Sequence, residues 1–234
     1  MSAHPERHGR VGGNALRASV LGANDGLVSN LSLVMGVAGA GLESHVILIT
    51  GVAGLLAGAC SMAMGEWISV QSSRELNLRQ LAVERAEIAR YPEEELGELV
   101  ALYEARGLSS PAAHELADHI MADDERALEV MAREELGIDP QELGGSAWTA
   151  ATSSFALFIM GAIVPVAPFT FLSSTAAVWV SVAGSALVLF GIGAAITRVT
   201  RRSAWFSGLR QLLIGMAAAA VTYGTGLILS VSII

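Results

Sequence analysis

The chain has 234 residues, of which 53% are hydrophobic and only 15% charged, and a formal net charge of −8. With a positive mean hydropathy, that balance excludes an ordinary soluble globular domain and points to a polytopic membrane protein. The single cysteine, Cys60, excludes an internal disulfide, and a net-acidic chain without a basic patch argues against nucleic-acid binding.

Residues 1–13 are polar, carry Arg7 and Arg10, and lack an apolar core followed by a small-residue cleavage site, so the first apolar segment is expected to be retained as a span. Crossing a hydrocarbon core of about 30 Å takes about 20 helical residues. Five segments qualify, at roughly 17–42, 46–69, 147–169, 175–197 and 206–233. The first reads LGANDGLVSNLSLVMGVAGAG and contains a carboxylate, Asp25. An ionised Asp deep in a span costs at least about 2.5 to 3.5 kcal/mol, so it is expected to face a cavity, a partner or an ion. On a helical period Gly22, Asp25, Ser29 and Ser32 share a face flanked by Asn24 and Asn30. The competing explanation is interhelical packing and hydrogen bonding through Gly22, Gly26 and Gly36, which Asn and Ser would serve without a charge.

The second span contains GACSMAMGEWIS, in which Gly58, Met62 and Glu66 recur at i, i+4 and i+8 along one face. Methionine in a membrane helix more often packs than ligates. Beside a carboxylate one turn away, a thioether suits a first-row transition metal better than Mg²⁺ or Ca²⁺. No Gly or Pro interrupts residues 66–91 and Pro92 is the first firm breaker, so this helix is expected to run on into the cytoplasm.

Charge then changes abruptly. Residues 72–145 hold 18 Asp or Glu against 7 Arg, while the rest of the chain holds 4 acids against 7 Arg. The expected organisation is a membrane region at 1–71, a cytoplasmic acidic domain at 72–145 and a membrane region at 146–234. After the extended second helix, two more helices are expected in the acidic segment. One covers about 93–106 and is ended by Gly107; the other covers about 111–136, with Ser110 as N-cap, Pro111 at N1 and Gly137 as its stop. Glu84 and Glu87 lie one turn apart, as do Glu95 and Glu98, and Met131 precedes Glu135 at i, i+4. Solvated helix faces, with Glu93 to Glu95 favouring a helix N-terminus, would explain most of these acids. Met121, Leu128, Met131 and Glu135 follow one stripe, however, which predicts that Glu135 faces the helical core. No Glu-x-x-His pair, Walker loop, zinc-type spacing or nucleophile elbow occurs, so an enzyme is not expected.

No charge occurs between Leu143 and Thr197, where two spans are separated by PVAPFTFLSS and Pro165 and Pro168 end the first of them. Trp67, Trp148, Trp179 and Trp205 fall near span ends, as an aromatic belt requires. Five is an odd number of spans and no internal repeat is visible, so a symmetric pathway would need two chains.

In this order and arrangement, GANDGLVSNLSLVMGVAGA, AGACSMAMGEW, the glutamate series, MAREELG and GAIVPVAPF resemble the vacuolar iron transporter family over nearly the whole chain. The resemblance implies an all-α membrane protein of five transmembrane helices, with a cytoplasmic three-helix acidic metal-binding insert between spans two and three. It further implies a homodimer that exports Fe²⁺, and in some members Mn²⁺, from the cytoplasm in exchange for protons, with metal as substrate and no prosthetic group. The family's metal-site pattern falls on Glu84, Glu87, Glu95, Glu98, Met131 and Glu135, its membrane aspartate on Asp25 and its second-span methionine on Met62. Glu66, Asn24 and Ser29 complete the expected pathway. Gly54 stands where some members carry an acid, and Ala132 where some have a second methionine.

On this reading Asp25 is where a divalent cation and protons compete, because burial raises a carboxylate's pKa and a nearby cation lowers it. One rival is a membrane-anchored metal store or ferroxidase; another is a structural or signalling protein with an acidic interaction module. Neither accounts for Asp25. The expected location is the cell membrane. Because every cation is Arg, orientation is read from arginine alone: Arg7, Arg10 and Arg17, the seven of the acidic segment, and Arg198, Arg201, Arg202 and Arg210 put the N-terminus and insert in the cytoplasm and the C-terminus outside. Cysteines introduced at Ser173 and Arg202 should therefore label from opposite sides of the membrane; labelling from one side would overturn the topology.

Overall fold

A computed structural model describes residues 10–141, 143, 145–200 and 203–233. Among them the chain is helical throughout, in the order α1 (Arg10–Gly39), α2 (Ser44–Arg90), α3 (Pro92–Ala105), α4 (Ser110–Met121), α5 (Asp124–Glu134), α6 (Ala147–Val166), a 3-10 turn (Ala167–Thr170), α7 (Ser174–Thr200) and α8 (Ala204–Ile233). Five helices are long and apolar enough to cross a membrane, over Val20–Gly39, within Ser44–Arg90, and over Ala147–Thr170, Thr175–Thr197 and Ala204–Ser230. These are the five segments expected from hydropathy. Arg7, Arg201 and Arg202, used to read orientation, lie outside the described residues.

The chain forms two compact units, one of residues up to Glu66 together with those from Ala150 onward, the other Trp67–Thr149. In the first, an apolar helix is the form that satisfies its own backbone groups where water is absent. Close approach rather than bulk holds these helices together. A Cβ on Gly26 of α1 would lie 2.2 Å from the Phe158 carbonyl oxygen on α6, and one on Gly161 of α6 would lie 2.0 Å from that of Ala23. Such contacts let backbones touch and gain dispersion energy that lipid cannot supply. Leu31, Val34 and Met35 of α1 then pack with Ile47, Val166, Phe169, Ala177 and Ala219. Polar side chains knit the same helices. Asn30 donates to the Ala162 carbonyl at 2.8 Å, and Ser181 to that of Pro165 at 2.8 Å, where α6 gives way to the 3-10 turn.

In the second unit, α2 continues to Arg90 and Pro92 opens α3 immediately after it, as expected. Gly107 (φ 97°) ends α3. Its N–H bonds the Glu104 carbonyl at 2.9 Å and that of Leu108 bonds Tyr103 at 3.1 Å, the paired bonds of a Schellman ending. The single helix expected at 111–136 is instead two, broken at Ala122 and Asp123. The cause is Asp123, whose carboxylate accepts from the backbone N–H of Glu125 and Arg126, both at 3.1 Å, and so starts a new helix. The cap of α4 is also displaced. Ser109 rather than Ser110 occupies the N-cap and makes no side-chain capping bond, and Pro111 is the second helical residue. Ile88, Leu99, Val100, Ala113, Ala117, Ile120, Leu128 and Met131 form the core of this unit.

Gly26→Ala or Gly161→Ala should lower the thermal stability of the purified protein by about 1 to 3 kcal/mol, since each forces backbones apart. Gly65→Ala on α2, whose Cβ would meet nothing within 4 Å, should not; equal melting of all three variants would remove the close-packing account.

Candidate metal centre and membrane carboxylate

Three elements of the Trp67–Thr149 unit converge on one point. Glu84 is buried on α2, Glu95 is buried in the acidic opening of α3, and Glu135 caps the C-terminal end of α5. One carboxylate oxygen from each lies within 4.8 Å of the others. Glu87 and Glu98, one turn further along α2 and α3, are exposed and contribute to the same negative field. All five glutamates singled out in the sequence thus belong to one electrostatic group, with three at its centre.

Burial and then Glu135, Glu95, Glu87 and Glu98 push the Glu84 carboxyl up to about 7. Burial, followed by Glu98, Glu135 and Glu87, pushes Glu95 up to about 6. Burial and the same exposed pair, Glu98 and Glu87, also raise Glu135. Glu84 Oε1 is buried without a hydrogen-bond partner, a state that is costly unless a cation reaches it. Hard oxygen donors in this number suit a divalent metal ion.

One expectation changes here. Glu135 is exposed and lies just beyond the last helical residue of α5, so it reaches the cluster from the helix end and not from the buried stripe. Met131 does follow that stripe and is buried in the apolar core beside Ile88 and Leu99.

In the membrane unit, the open stripe of α1 is Leu21, Asp25, Ser29 and Leu33, all exposed within one chain. Ser29 Oγ donates to the Asp25 carbonyl at 2.5 Å. Gly22, expected on this face, is instead buried against Leu157, with the Met62 methyl 3.6 Å from where its Cβ would stand. Met62 therefore sits beside α1 about one turn before Asp25, and packs on Phe158 and Ala59. Glu66 is half-buried one turn further along α2. Asn24 is turned from the Asp25 stripe toward α8, where Gln211 donates to its Oδ1. Sequence reasoning missed Gln211; a lone amide early in an apolar span was the available signal.

The raised carboxyls have a thermodynamic consequence. Their folded pKa values exceed the unfolded ones, so the folded state holds extra protons between about pH 4.5 and 7, and metal-free stability falls as pH rises through that window. The metal-free protein should melt at a lower temperature at pH 8 than at pH 5.5. Divalent metal should reverse the loss, with affinity rising about tenfold per pH unit for each proton displaced. Glu84→Gln should flatten both pH dependences; an unchanged profile would mean that the cluster does not titrate as a unit.

Comparison with known proteins identifies the family. Residues 16–227 match the model of the VIT family. The chain is 37% identical over 230 residues to the vacuolar iron transporter of Acanthamoeba castellanii, covering 97% of this chain and 80% of that protein. It is 38% identical over 217 residues to vacuolar iron transporter homolog 5 of Oryza sativa subsp. japonica, covering 90% and 78%. Against vacuolar iron transporter 1 of Arabidopsis thaliana identity is 28%, over 94% of this chain and 88% of that protein. A family match across both membrane regions and the acidic segment between them, with relatives up to 38% identical over most of both chains, makes this chain a member of the VIT family.

Proposed function

We propose that the chain is a divalent transition-metal transporter that carries Fe²⁺, with Mn²⁺ as a second cargo, out of the cytoplasm in exchange for protons. The observation that carries this reading is Asp25, a carboxylate on the open stripe of an apolar span. Facing lipid, an ionised carboxylate there would be costly. A second copy of the chain against the same stripe removes that cost and brings two Asp25 side chains to one axis, where together they balance one divalent charge. Metal arrival lowers their proton affinity and metal departure restores it, so ion and proton exchange at one place without a separate coupling device.

Glu84, Glu95 and Glu135 collect the ion on the cytoplasmic side, with Glu87 and Glu98 attracting it from solution. Glu66 and Met62 then line the approach to Asp25. The thioether favours Fe²⁺ over Mg²⁺ and Ca²⁺, and only modestly over Mn²⁺. Relatives that are named vacuolar iron transporters support the cargo and the absence of an enzymatic role. A membrane-anchored iron store or ferroxidase would need the cluster but has no use for Asp25.

Asp25→Asn keeps size and hydrogen bonding but removes the charge and the titratable proton. In proteoliposomes it should cut Fe²⁺ flux and coupled proton movement by about tenfold or more, while dimer formation and metal binding by the cluster persist. Wild-type flux in this variant would make Asp25 a packing residue.

A further inference from the structure

The helix ends opposite the α6 start enclose a cavity of about 670 Å³ that the transport reading does not use, between α1, α7 and α8. Its deep end is formed by Met35, Val182 and Met216, and its mouth by Glu43, Thr175 and Trp179. Along α7, from Thr175 to Val182, it descends roughly 10 Å at 1.5 Å per residue. That is within the depth of one leaflet of a bilayer about 30 Å thick. The groove therefore begins at the membrane surface, runs among apolar side chains and stops before the midplane. At about 100° per residue, Met35 lies about 80° and Ala38 about 140° around α1 from Asp25, on the side away from Ser29.

We propose that this groove holds one acyl chain of a phospholipid whose ammonium headgroup pairs with Glu43. An acyl chain is the apolar, flexible ligand that enters from this direction, and the groove takes up the part of it nearest the headgroup. The mouth selects the headgroup. Glu43 supplies a carboxylate and Trp179, 70% exposed, an aromatic face, which together attract an ammonium group and repel an anionic headgroup. His45 lies 3.2 Å from Glu43, but both side chains are largely exposed, so that contact yields to a better-placed cation. A phosphatidylethanolamine fits all of these features.

The full-length protein is reconstituted in nanodiscs of equal phosphatidylethanolamine and phosphatidylglycerol, extracted in mild detergent and examined by native mass spectrometry. Retained lipid should be enriched in phosphatidylethanolamine by about tenfold, the scale of one charge-assisted contact. Glu43→Gln should bring the ratio close to that of the bulk lipid. Gly224 lines the groove, and a Cβ there would meet nothing within 4 Å, so Gly224→Leu should fill the space and lose the retained lipid without disturbing the helices. Gly191→Leu, on an equally open position of α7, should retain it. Equal retention of both lipids, or retention by Gly224→Leu, overturns the proposal. So does a change of oligomeric state in Gly224→Leu, which would make the groove a contact between copies. Glu43 lies outside the helices, so its variant still decides the matter if Gly224→Leu does not fold.

Discussion

Carboxylates crowded at the edge of an apolar core cannot all be ionised and unaccompanied, and the unit from Trp67 to Thr149 is built around that constraint. Its core of Ile88, Leu99, Leu128 and Met131 holds α2, α3 and α5 so that Glu84, Glu95 and Glu135 meet. Burial, and then mutual repulsion, raise the pKa of all three, Glu84 to about 7 and Glu95 to about 6. The helical packing that stabilises the unit is thus what makes it seek a cation. Arg85 with Glu125, and Arg133 with Glu129 and Asp139, neutralise other acids on the surface of the same unit. No such ion pair is recorded for the three central glutamates among the described residues, which leaves the charge deficit concentrated at one spot.

The membrane unit solves a different problem with different residues. Its helices gain little from hydrophobicity once surrounded by lipid, so small residues and buried hydrogen bonds carry specificity. Asn30 to Ala162, Ser181 to Pro165 and Gln211 to Asn24 each tie one span to another. Other hydroxyls, those of Thr50, Thr197, Thr222 and Thr225, turn back on carbonyls of their own helices. Among the described residues the Asp25 carboxylate makes no such tie; the Ser29 hydroxyl bonds its backbone carbonyl within α1.

Much of this was legible in the sequence because its signals are local or periodic. Twenty apolar residues make a span irrespective of tertiary context, and Pro92 and Gly107 punctuate the chain by steric rules that hold anywhere. The glutamate cluster was legible as a set, since pairs at one-turn spacing mark a face. What was lost depends on competition between local options. Asp123 reads as one more helical acid in an acidic stretch, yet its capping bonds outweigh helix continuation, and that choice breaks α4 from α5. The route by which Glu135 joins the cluster followed from where α5 stops, which periodicity does not reveal. On α1, the side taken by Gly22 and Asn24 was settled by Leu157 on α6 and Gln211 on α8, residues far away in the chain.

The joint at Ala122 and Asp123 also separates two kinds of geometric tolerance. A residue added at that joint is absorbed by a non-helical turn, and α5 keeps its seat on the core. A residue added between Leu128 and Glu135 rotates everything beyond it by about 100°, carrying Glu135 off Glu84 and Glu95 while leaving helix content unchanged. The angular register of the last two turns of α5, more than its length or composition, is what keeps the three carboxylates in common.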